Sequence, residues 1–166
     1  MAAASTWRSS ASGSVGEVIG ARWSEIDFAA KTWTVPRERM KAAAREHRIV
    51  LSDAAIAVLD LVIDRKHEFV FTRAGCRLLS GGLMVKLLKR MNCGDVTTHG
   101  FRATFKIWAA AHTAYPRELI EIALSPAEGD ALELTYQRGD MIEKRRRLMD
   151  DWARHCATPA RGPAMS

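Results

Sequence analysis

Apolar positions change period several times along this chain, and each change marks a predicted element. Val15, Val18, Ile19 and Trp23 recur at helical spacing and predict a short helix over 15–23. Beyond Phe28 the period shortens. Trp33 and Val35 alternate with Thr32 and Thr34, and His47 to Leu51 forms a second extended run. The polar stretch PRERMKAAARE separates the two runs. Together they predict a β-hairpin over 28–51 with a long basic tip. Ser52 is then placed to cap a helix, with Asp53 in its first turn and Ile56, Leu59, Val62 and Ile63 as its apolar stripe.

Phe69 to Phe71 reads as a short strand ending in a turn at Gly75. Leu83 to Met91 is a basic amphipathic helix, followed by a turn over 92–95 and a helix from Thr98 to Ala111. Pro116 interrupts, and Pro116 or Arg117 opens a helix to about Leu124. A loop over 125–129 leads to a short helix carrying Tyr136. The last helix runs from Met141 to about Cys156, with Ile142, Arg145, Met149, Trp152 and Cys156 on one stripe read as core packing. Residues 1–14 are rich in Ala and Ser, show no period, and are expected to lack regular structure; 157–166 reads as a tail. The predicted architecture is α+β, mainly α. It is one helical domain over 15–156 with a small antiparallel sheet to one side.

Composition narrows the class. The 166 residues are 48% hydrophobic and 27% charged, a balance that suits one globular core. No apolar run reaches the length of a membrane span, and the start lacks an apolar leader, so a cytoplasmic protein without a membrane partner is expected. Cys76, Cys93 and Cys156 form no CxxC pair and read as reduced thiols. The net charge of +6 points to a polyanionic partner, nucleic acid above all, although a merely soluble basic surface gives the same figure. The Gly81-Gly82 pair lacks the spacing of a phosphate-cradling loop, and neither HExxH nor GxSxG occurs.

Three islands offer chemistry. Lys41, in the hairpin tip, can reach a phosphate or give a proton to a leaving oxygen, or be one more solvated charge. His99 and Arg102, at i and i+3, share a helix face and can hold one phosphate by charge-assisted hydrogen bonds. The next acid after Arg102 is Glu118, which leaves the arginine open to an external anion; a capping His and a surface Arg is the plainer alternative. Tyr136, one of two tyrosines, offers a phenol nucleophile, or a packing residue with a polar tip. Arg45, Lys86, Lys89 and Arg90 add to a basic face.

Taken in order, these islands resemble the tyrosine recombinases, especially the prophage-type integrases. The likeness rests on GEVIGARWSEIDFAAKTWTVPRERMKAAAREHRIVLSDAA, VTTHGFRATFKIWAA and LELTYQRGDMIEKRRRLMDDWARHC, and covers about 15–156. It implies a catalytic domain acting on double-stranded DNA, assembled as a homo-oligomer on the DNA. Tyr136 becomes the nucleophile of a 3′-phosphotyrosyl intermediate, Arg102 and His99 clamp the phosphoryl oxygens, and Lys41 is the general acid. Neither ATP nor metal is needed, so no cofactor is implied. In the family the C-terminal segment also docks on a neighbouring protomer; packing within the same chain is the favoured expectation for this one.

Two positions depart from the pattern. Ser14 stands where the family has an arginine, and Pro126 where it has a histidine or tryptophan. Serine cannot give a bidentate charge and proline donates nothing. The resemblance therefore predicts weak or absent strand transfer. The alternatives are a non-catalytic DNA-binding remnant of a prophage integrase and a remnant with no function.

Overall fold

The computed structural model describes residues 18–39, 46–63, 67–73, 77–78, 81–93, 96–124 and 138–158. The predicted lead-in over 1–14, the turn at Gly75, the loop after Leu124, the short helix around Tyr136 and most of the tail lie outside them.

The hairpin is present and gains a third strand. β1 (Ile26–Asp27), β2 (Thr32–Val35) and β3 (His47–Val50) form an antiparallel sheet in the order β1-β2-β3. Trp33 lies opposite Ile26 on one side and Ile49 on the other, and Val35 lies opposite His47. Trp33 and Val35 are buried as the alternation requires. β1 went unpredicted because a two-residue strand has no period to read. It leads into β2 through a tight turn in which Ala30 N donates to Asp27 Oδ1 (2.8 Å) and Lys31 takes a positive φ of 50°.

The helix predicted through Trp23 stops earlier. Val18 and Ile19 are helical, but Arg22 is extended and Trp23–Glu25 is a 3-10 turn. The chain leaves the helix to pair with the 68–70 segment: Trp23 N donates to Glu68 O (3.0 Å) and Val70 N to Ala21 O (2.8 Å). That pairing also explains the second correction. Phe69 makes only an isolated bridge, to Arg22, and the regular strands come just after, as β4 (Thr72–Arg73) paired with β5 (Arg77–Leu78).

The helices follow the sequence closely. α1 (Asp53–Val62) is capped by Ser52 Oγ, which accepts from Ala55 N at 3.3 Å. Its buried residues are Ala55 and Leu59, while Val62 and Ile63 of the predicted stripe are exposed. A three-stranded sheet offers few apolar positions, and the first turns of α1 use them. α2 (Gly81–Arg90) ends at Asn92, whose φ of 55° turns the chain so that Cys93 N returns to Leu88 O (2.9 Å). α3 (Thr98–His112) is capped by Thr97, α4 spans Arg117–Leu124, and α5 spans Arg138–Ala157, three residues longer at its start than predicted. Among the described residues no helix is long and apolar enough to cross a membrane.

Two hydrophobic clusters result. One lies among α3, α4 and α5, where Trp152 packs edge-on to Phe105 (centroids 5.4 Å) and against Trp108 (4.9 Å), with Leu119, Leu124 and Leu148 around them. The other joins the sheet to α1 through Trp33, Val35, Ile49, Ala55 and Leu59. The C-terminal helix thus packs within its own chain. Two consecutive arginines of α5 reach the sheet side: Arg145 Nη1 donates to Arg48 O (3.0 Å) and Arg146 Nη2 to Ala30 O (3.1 Å).

Trp152→Ala is expected to destabilise the fold by about 3–5 kcal/mol, the usual figure for emptying a packed aromatic site. Leu61→Ser, at a side chain 84% exposed, should stay within about 0.5 kcal/mol. Urea unfolding of the two variants checks both.

Candidate active site

Arg102 emerges from the second turn of α3, on the helix whose start Thr97 fixes. It is half-buried, and its Nη1 donates to Leu124 O, the last carbonyl of α4. A helix C-terminus carries partial negative charge, so this contact holds a cation without neutralising it as a carboxylate does. The expectation that Arg102 stands open is therefore corrected. Its anchor is a backbone carbonyl 22 residues further along the chain, which a search for nearby acids cannot reveal.

Two further groups share its neighbourhood. His47 opens β3, is 5% exposed, and has its pKa pushed down to about 4. Burial is the main cause, followed by the positive charges of Arg145 and Arg102. At neutral pH the imidazole is uncharged. Arg145, 3% exposed on α5, approaches the same histidine and borders a small cavity with Ile49, Val50, Ala123 and Met149. Strand β3, helix α3 and helix α5 thus bring an imidazole and two guanidinium groups together. Neither His47 nor Arg145 was picked out as a site residue from the sequence. The signal was there for Arg145, because an arginine among the apolar positions of a helix calls for a special role. His47 gave no such sign beyond facing inward beside Ile49.

The other predicted residues divide. The backbone of His99 belongs to the first turn of α3, and its side chain lies outside the described residues, as do Ser14, Lys41, Arg45, Pro126 and Tyr136. The root of the hairpin tip is described. Arg39 forms an ion pair with Glu25, whose other oxygen accepts from Trp33 Nε1 (2.9 Å), so the 3-10 turn Arg37–Arg39 after β2 is tied to the turn before β1. Lys86, Lys89 and Arg90 are exposed on α2 at spacings that put them on one face. Tyr115, the second tyrosine, donates its hydroxyl to Asp151 Oδ2 (2.7 Å). Burial, that hydrogen bond and the Asp151 charge push its pKa up to about 12, the wrong direction for a phenol that must attack as an oxyanion. It pins the α3–α4 turn to α5 instead.

The profile of the phage integrase family matches residues 14–123. The chain belongs to this family. It is 34% identical over 142 residues to the prophage integrase IntA of Escherichia coli K12, an alignment covering 82% of this chain and 34% of IntA. It is 26% identical to the integrase of Shigella phage Sf6 (82% of this chain, 37% of the phage protein) and 26% identical to the E. coli K12 prophage integrase IntS (79% and 35%). This member therefore spans about a third of the length of these relatives. No solved structure matches it.

The depressed pKa of His47 makes a pH prediction. The unfolded chain takes up the proton near pH 6.5 and the folded chain only near 4. This contribution to stability is complete above pH 6.5 and is lost as the pH falls from 6.5 to 4, by about 3 kcal/mol in all. Unfolding free energies of wild type and His47→Gln, measured between pH 7 and pH 4, should converge by that amount; parallel curves contradict the buried, neutral imidazole.

Proposed function

We propose that the chain is the strand-transfer domain of a site-specific DNA integrase, with Tyr136 as nucleophile. The Tyr136 oxygen attacks the phosphorus of a DNA phosphodiester, the bond to the 5′-oxygen breaks, and Lys41 gives that oxygen its proton. A 5′-hydroxyl from a second duplex reverses the step on the 3′-phosphotyrosine. The covalent link conserves the bond, so the protein contributes position and positive charge. Arg102 and His99 receive the phosphoryl oxygens, while Arg45, Lys86, Lys89 and Arg90 meet backbone phosphates. The observation that carries the reading is Arg102 on α3, its guanidinium anchored at the end of α4 in a chain of the phage integrase family.

Ser14 and Pro126 favour a second reading, a DNA-binding remnant with little turnover. Each missing donor lowers the rate by about 10²–10³, and the arginine by more.

Nicked duplexes spanning the junctions of the gene separate the two. A covalent protein–DNA band on a denaturing gel, weak in wild type, absent in Tyr136→Phe and at least about 10²-fold stronger in the double variant Ser14→Arg, Pro126→His, supports the enzyme. Binding without any band in all three supports the remnant. Under either reading Lys86→Ala should lower the slope of log affinity against log salt by about 0.9. An unchanged slope contradicts a phosphate contact at α2.

A further inference from the structure

We propose that Arg145 is a positioning residue for the Arg102 phosphate clamp, acting through the end of α4. The proposal rests on the strand-transfer reading, and its ground is the arrangement of three anchors. Arg102 is held by Leu124 O, the last carbonyl of α4. Ala123, one residue earlier, lines the small cavity beside Arg145, together with Ile49 and Val50 of β3 and Met149 of α5. Arg145 itself ties α5 to β3 through Arg48 O (3.0 Å). The carbonyl that aims Arg102 therefore belongs to a helix end seated between α5 and β3, and Arg145 is the polar tie between those two.

Removing the tie frees α5 from the strand and opens the cavity at Ala123. The α4 terminus then moves, and the Arg102 guanidinium moves with it. Displacements of about 1 Å in a phosphate-binding group lower rates by about 10²-fold. Arg145 does this without touching DNA, since its side chain is almost wholly buried.

The experiment compares the full chain with Arg145→Met and Arg145→Lys, in the wild-type and in the Ser14→Arg, Pro126→His background. Adduct formation on nicked duplex is expected to fall about 10- to 100-fold in both Arg145 variants, because neither side chain has the guanidinium whose Nη1 reaches Arg48 O. The salt slope of DNA binding should stay at the parent value. The ¹⁵N–¹H signal of Arg102 Nε, assigned with Arg102→Lys, should shift in both variants and needs no turnover to be read. Arg145→Lys keeps the charge and most of the packing, so it carries the test if Arg145→Met does not fold. An unmoved Arg102 signal overturns the inference, as does a loss of DNA affinity in step with the loss of adduct. No adduct in any background overturns the strand-transfer reading instead, and the Arg102 signal then still decides whether Arg145 positions it.

Discussion

The hydrogen bond from Arg145 to the carbonyl of Arg48 is the contact on which the arrangement of this domain depends. The two apolar clusters are separate interiors: a helical one built on three aromatic rings and one between a small sheet and α1. Each is modest, and neither by itself fixes how the other lies. A guanidinium crosses between them, buried to 3% exposure, with Arg146 doing the same at the surface one residue later. Burying such a charge is unfavourable unless its donors are met by well-placed acceptors. The Arg48 carbonyl meets the Nη1 donor, and the orientation of α5 on the sheet is restricted to those that keep this contact.

The electrostatics of the neighbourhood follow from that constraint. Burial first, and then the charges of Arg145 and Arg102, keep His47 uncharged well below neutral pH. The α4 terminus supplies partial negative charge to Arg102. By contrast, the exposed ion pairs such as Arg22–Glu68 and Lys31–Asp53 hold loops in place and add little to stability.

Much of the fold was legible because the sequence punctuates it chemically. Ser52 caps α1, Pro116 stops the chain before α4, and amphipathic spacing marks α2 and α5. Elements of two residues, such as β1, β4 and β5, escaped because period and propensity need length to register. The N-terminal helix was overextended to Trp23 because its apolar spacing could not show that Arg22 would pair with Phe69 far along the chain. The same limit governs the site. The HxxR pattern pointed to Arg102, but its anchor at Leu124 and its neighbours His47 and Arg145 come from other elements and are visible only once the chain is folded.

The chain belongs to the phage integrase family, and in the proposed reading it is a strand-transfer domain that departs from the family's pattern at Ser14 and Pro126. A structure of the chain on nicked duplex DNA with vanadate at the cleaved phosphate tests that account most directly. It predicts Arg102 within hydrogen-bonding distance of the vanadate oxygens and the Tyr136 oxygen at an apical position; a vanadate bound elsewhere, or Tyr136 facing away from Arg102, contradicts it.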